Sequence, residues 1–135
     1  MTFFKLADPG FWEQIRQAHG SAGGAYQLVA LENEKPVVVQ RFLGADLEGV
    51  LYIGKSDSYL DRVIQLKKSI SPQYAGKSHT CGRRYKSNPA IALKYPYELL
   101  HLQFFPSGQP ELLEKQMLGQ YFQRFGEVPP LNAVH

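Results

Sequence analysis

Residues 49–62 read GVLYIGKSDSYLDR, and within these fourteen positions an apolar strand passes into a helix. Val50 to Ile53 has no polar face, which predicts a strand covered on both sides. Ser56 or Ser58 caps the next segment, in which Tyr59, Leu60, Val63, Ile64 and Ile70 recur at helical spacing until Pro72 ends the run. Tyr52 and Arg62 thus stand on either side of one strand-to-helix junction. Gly54 gives the backbone room to turn closely between them.

Upstream, AYQLVAL (25–31) is strand-like, ENEKP (32–36) is a turn, VVVQRFL (37–43) is a second β-branched run and GADLEG (44–49) turns the chain again. This pattern predicts an antiparallel meander with Tyr26 near the start of its first strand and Tyr52 near the end of its last. Before it, Asp8-Pro9 reads as an N-cap and first helical position, so a leading helix over 9–19 carries Phe11, Trp12 and Ile15 and stops at Gly20. Residues 71–96 are polar, basic and rich in Gly, Ser and Pro, which predicts a long loop with a short helix at PAIALKY (89–95). YELLHLQFF (97–105) is a further strand. The run from Pro110 to Gly126 is a helix whose apolar stripe holds Leu113, Met117, Leu118, Tyr121, Phe122 and Phe125.

The 135 residues fit a single domain, 44% hydrophobic and 20% charged, with no disordered composition. No apolar run reaches the eighteen or so residues of a membrane span and the N-terminus has no signal-peptide pattern, so no membrane partner is expected. One cysteine, Cys81, excludes an intramolecular disulfide and suits a reducing, cytoplasmic setting. His79, Cys81 and His101 fail the count and spacing of a structural zinc site. The net charge is a mild +3, but Lys55 to Lys94 holds nine Lys or Arg against two acids, nine minus two or +7. Such asymmetry offers one basic face to a polyanion, with Lys55, Lys67, Arg83, Arg84 and Lys86 as candidate contacts. The alternative is a solvated basic surface.

GAY at 24–26, YIG at 52–54, Arg62, Glu114 and PPLN at 129–132 occur in an order and spacing that resemble the GIY-YIG nuclease family. The resemblance covers residues 24–132 and leaves 1–23 as an N-terminal helical extension. It implies an α/β (α+β) fold, a small mixed domain with a central antiparallel sheet flanked by helices. Two departures stand out: Ala25 replaces the usual isoleucine, and the 25 residues between Tyr26 and Tyr52 exceed the family's compact hairpin, which bears on the sheet's edge. A histidine often found four residues past the arginine is Leu66 here, and His79, in SHTCGRRY, takes its place on an H-x-x-G-R/K pattern.

The activity implied is Mg²⁺- or Mn²⁺-dependent endonucleolytic hydrolysis of phosphodiester bonds, with DNA ahead of RNA as substrate. Such chemistry needs activated water, positive charge at the phosphoryl oxygens and help for the leaving oxygen. Mg²⁺ keeps several waters, so a single carboxylate, Glu114, suffices as metal ligand. Arg62 offers a planar fork to the phosphate; its alternative is a salt bridge to Asp57, Asp61 or Glu114. The resemblance makes Tyr26 the base candidate and Tyr52 the residue orienting water or phosphate, against the alternative of two core tyrosines with satisfied hydroxyls. His79 is a candidate base, or a surface group beside two arginines. Asn132 ties the last segment to the sheet. No separate DNA-reading module is visible, so specificity falls to loops, a homodimer or a partner protein. Two other functions remain open: a catalytically silent nucleic-acid-binding module, and a protein-interaction domain using the Phe11-Trp12 helix.

Overall fold

In the computed structural model, which describes residues 2–74 and 79–133, the chain runs β1 (Phe4–Lys5), α1 (Phe11–His19), β2 (Gly24–Glu32), β3 (Lys35–Pro36), β4 (Val39–Arg41), β5 (Gly44–Asp46), β6 (Val50–Ser56), α2 (Tyr59–Ile70), α3 (Thr80–Ser87), α4 (Pro89–Lys94), β7 (Leu100–Pro106) and α5 (Pro110–Phe125). The architecture is a mixed α+β domain around an antiparallel five-stranded sheet. β1, β7 and β2 lie in that order, β6 pairs with β2 along its other side, and β3 extends the end of β2.

The two faces of the sheet bury different helices. On one, Tyr26, Leu28, Leu102 and Phe104 pack against Phe11 and Ile15 of α1, Tyr59, Val63 and Leu66 of α2, and Tyr85 of α3. On the other, Val29, Val50 and Ile53 meet Tyr121 and Phe125 of α5. The expectation that Val50 to Ile53 is covered on both sides therefore holds. A bulge lies in the β2–β6 pairing, where Leu28 faces Tyr52 but Val29 faces Val50. The unpaired Leu51 joins Tyr52 in the first cluster while Val50 and Ile53 serve the second.

β6 would be an edge strand but for the last segment of the chain. Leu131 N–H donates to Leu51 C=O (2.8 Å). Asn132 Oδ1 accepts from Ile53 N–H and its Nδ2 donates to Ile53 C=O, both at 2.9 Å. One amide side chain thus does what a neighbouring strand would do, which fulfils the tie predicted for Asn132.

Three expectations change. VVVQRFL and GADLEG do not form a sheet strand and a turn: β4 and β5 make a separate two-stranded hairpin. It is anchored by Asp46, whose carboxylate accepts from the N–H groups of Glu48, Gly49 and Val50 and from Tyr121 Oη (2.9 Å) on α5. α1 starts at Phe11, two residues later than predicted. Asp8 Oδ1 accepts from Gly10 N–H (2.8 Å), so Asp8 shapes the entry turn and Gly10 holds the N-cap position. Within 71–96, the basic TCGRRYKS is helical because His79 supplies an N-cap acceptor and α3 buries Cys81 and Tyr85 against α2. The short helix at Pro89 is present, capped by Asn88. No helix among the described residues is long and apolar enough to cross a membrane.

Asn132→Ala leaves Ile53 N–H and C=O without partners at a buried position, so unfolding in urea should show a loss of about 2 kcal/mol or more. A loss below about 0.5 kcal/mol would show that the edge does not depend on this side chain.

Candidate active site

The β2–β6 register sets Tyr26 opposite Gly54. Gly54 is not at a turn, as the sequence suggests, but inside β6. A Cβ there would stand 2.6 Å from Tyr26 Cζ and 2.8 Å from Tyr52 Cε2. The glycine makes room for two phenol rings whose centroids are 6.2 Å apart. His79, at the start of α3, sets its ring edge-on to Tyr52 at 5.6 Å.

Tyr52 and Arg62, with Glu114 from the opposite layer, line one cleft of about 840 Å³ at the end of β6. Tyr26 lies behind Tyr52, fully buried. Burial, and Tyr52 beside it, push the Tyr26 hydroxyl far above its ordinary pKa, with the Arg62 charge opposing. Tyr52 is pushed up to about 12, mainly by burial and again against Arg62. Burial also raises the Glu114 carboxyl, Glu111 adding to this while Lys55, Arg62 and Lys115 pull it down. Arg62 donates to Gln65 Oε1 (3.4 Å) and, among the described residues, makes no ion pair. The salt bridge that competes with a functional role for Arg62 is not what the structure contains.

Two buried polar atoms in this corner, Tyr26 Oη and His79 Nε2, have no partner in good hydrogen-bond geometry among the described residues, although Arg62 comes close enough to the Tyr26 and Tyr52 hydroxyls to act on both as a weak donor. Such orphans are rare and each calls for an explanation; a third, Arg41 Nε, borders a different hollow. His79 Nδ1 accepts from Cys81 N–H (3.1 Å), so in the neutral ring the proton sits on Nε2. Burial, reinforced by Arg62, lowers its pKa to about 4. His79 is therefore a neutral ring beside Tyr52, outside the residues that line the cleft, and the base role considered for it would require breaking the cap of α3.

The basic residues disperse. Lys55 lines the cleft and pairs with Glu111 (3.8 Å). Lys67 turns its amine over the Phe11 ring (5.3 Å). Arg83 and Arg84 border a separate hollow with Asn88 and Pro130, and Lys86 donates to Tyr74 C=O. Lys77, counted among the nine bases, lies outside the described residues. Of the five predicted contacts only Lys55 borders the cleft. Phe11 is buried in the core, which leaves Trp12 alone of the proposed partner pair exposed.

Glu111 is exposed at the first turn of α5 and, with Lys115, which sequence reasoning passes over, it lines the cleft; the two pair with each other (3.8 Å). The signal was present: these residues flank Glu114 in the first turns of α5, where helix N–H groups and their dipole face the opening. A divalent ion fits this donor set. Glu114 makes no ion pair among the described residues, Glu111 is engaged by two lysines, and one hard oxygen ligand beside open solvent suits an ion that keeps its waters. The chain matches no family model, no curated protein and no solved structure.

Gly54→Ala forces a methyl onto two rings and should destabilise by about 1–3 kcal/mol, with near-ultraviolet circular dichroism of the tyrosines altered. A second expectation concerns pH. A histidine depressed from 6.5 to about 4 on folding is neutral in the folded chain where the unfolded chain takes a proton. Stability should fall as pH drops from 6.5 toward 4, by up to about 1.4 kcal/mol per pH unit. His79→Asn keeps a cap acceptor and removes the titration, so urea unfolding of this variant should be flatter over that window; an unchanged slope would contradict the assignment.

Proposed function

We propose that this chain is a divalent-metal-dependent endonuclease of the GIY-YIG type that hydrolyses phosphodiester bonds in nucleic acid, DNA ahead of RNA. One observation carries the proposal: Tyr52, Arg62 and Glu114, from β6, α2 and α5, line a single cleft, with the buried hydroxyl of Tyr26 behind them, near Arg62. Three carriers of phosphate chemistry meet there although 62 residues separate the first from the last.

Arg62, free of carboxylate partners, is placed to offset charge on the phosphoryl oxygens. Tyr52 and Tyr26 keep their protons at neutral pH and so act as donors, Tyr52 toward phosphate or water at the cleft and Tyr26 as the buried support of that arrangement. The raised pKa of Tyr26 weighs against a base role in the site as it stands. Glu114 would hold Mg²⁺ or Mn²⁺, and Lys55 steers the strand. When bound, the ion supplies charge neutralisation and an acidified water. The free, buried Cys81 accords with a cytoplasmic setting.

A second reading, a nucleic-acid-binding module without catalysis, draws on the same protonated phenols. On it the chain retards DNA in a salt-dependent way without scission.

Plasmid and branched DNA incubated with Mg²⁺ or Mn²⁺ should be cut. Glu114→Gln and Arg62→Ala should each lower the rate by about 10²-fold or more, and Arg62→Lys should not restore it because the planar fork is lost. Cleavage that persists in Glu114→Ala removes Glu114 from the mechanism. The same carboxyl gives a stability test: its pKa is raised on folding, so its ionised form destabilises the fold above pH 4.5. Glu114→Gln should therefore raise the thermal midpoint more at pH 8 than at pH 3.5.

A further inference from the structure

Two-residue hairpin loops are ordinarily Gly, Asn or Asp, because the turn needs their backbone freedom and faces water. The loop between β4 and β5 is Phe42-Leu43, residues 82% and 60% exposed. This loop is held firmly. Leu43 N–H donates to Phe125 C=O (3.0 Å), and Phe42 N–H donates to Glu127 Oε2 (2.7 Å). Both side chains press on Gly126, the left-handed residue ending α5, where a Cβ would lie 2.9 Å from Leu43 Cγ and 3.2 Å from Phe42 Cδ2. Phe122, 53% exposed, extends the apolar patch along α5.

The surroundings are cationic. Arg84, exposed on α3, shares a hollow of about 300 Å³ with Phe122 and Gly126. Arg124, also exposed, stacks over Phe125 (5.0 Å). The neighbouring acid, Glu127, is engaged by Arg41 (2.8 Å). An apolar tip with a positive rim complements flat aromatic faces strung on an anionic backbone. A second copy of the chain suits it less, since a two-fold contact through the patch would bring the arginines toward one another.

We propose that Phe42 and Leu43 form an apolar wedge that inserts at a base step of the nucleic acid held in the cleft, an inference that rests on the nucleic-acid function proposed above. Glu114 and Gly126 are twelve residues apart on α5, about 18 Å along the helix and so about five nucleotide steps. On a duplex laid along α5, that spacing puts the wedge about five nucleotides from the phosphate at Arg62.

The full chain, in EDTA to prevent cleavage, is titrated onto duplex DNAs carrying 2-aminopurine at successive positions. Insertion should raise the fluorescence several-fold at one or two adjacent positions. Phe42→Ala, a change at an exposed site, should still bind with a steep salt dependence but lose that rise. Binding with no rise at any position overturns the wedge and leaves the proposed function standing, as does an equal rise in Phe42→Ala. Failure to bind any nucleic acid overturns both. If Phe42→Ala instead abolishes self-association in sedimentation and leaves the rise intact, the patch is a contact between copies and the wedge is overturned.

Discussion

A ring lying across a residue with no side chain is the constraint on which this molecule turns. Tyr26 can occupy the core only because Gly54 stands opposite it on β6, and Tyr52 reaches the same face only because it sits two residues before that glycine. With β2 held in place by β7, a slip of one residue in the β2–β6 register would leave Tyr26 where it is and turn Tyr52 toward α5, away from Arg62. Sheet register, core packing and site geometry are one decision here. The bulge at Leu51 confines the consequences, letting Val50 and Ile53 serve the opposite layer without disturbing the two tyrosines.

Around that decision the fold carries groups that packing alone would not choose. A phenol and an imidazole are buried with one polar atom each lacking a partner in good hydrogen-bond geometry among the described residues, and a guanidinium faces them without a carboxylate. Each is unfavourable beside an apolar replacement. They are tolerated because the surrounding clusters are extensive and the hairpin is locked to α5 through Asp46 and Tyr121. Local cost gathered at one corner of the core is what singles that corner out as a candidate site.

The strands that matter and the long last helix were legible because they are long and strongly patterned: β2, β6, β7 and α5 show period or continuous apolarity that tertiary contacts reinforce. Tyr52, Arg62 and Glu114 could be named because their order and spacing resemble the GIY-YIG pattern, and the structure brings them to one cleft. What escaped was whatever depends on a distant partner. VVVQRFL has strand propensity but leaves the main sheet, because the hairpin it forms is held by Asp46 and by the end of α5. TCGRRYKS has little apolar periodicity, and its helix rests on a histidine cap and a buried crossing with α2 that no local rule displays. Gly54 was recognised as necessary for the wrong reason: its missing Cβ matters because of a ring supplied from another strand. The basic stretch was legible as charge but not as a surface, since helix phase scatters its members over several faces.

The strap formed by Leu131 and Asn132 bears on how the chain folds as it is made. Synthesis delivers β6 about eighty residues before the groups that close its outer edge, and β7, its neighbour across β2, also comes late. A nascent chain therefore holds the strand that carries Tyr52 with open N–H and C=O groups at Leu51 and Ile53, a template for pairing with other chains. Until position 132 leaves the ribosome, protection of that edge falls to whatever shields nascent protein in the cell.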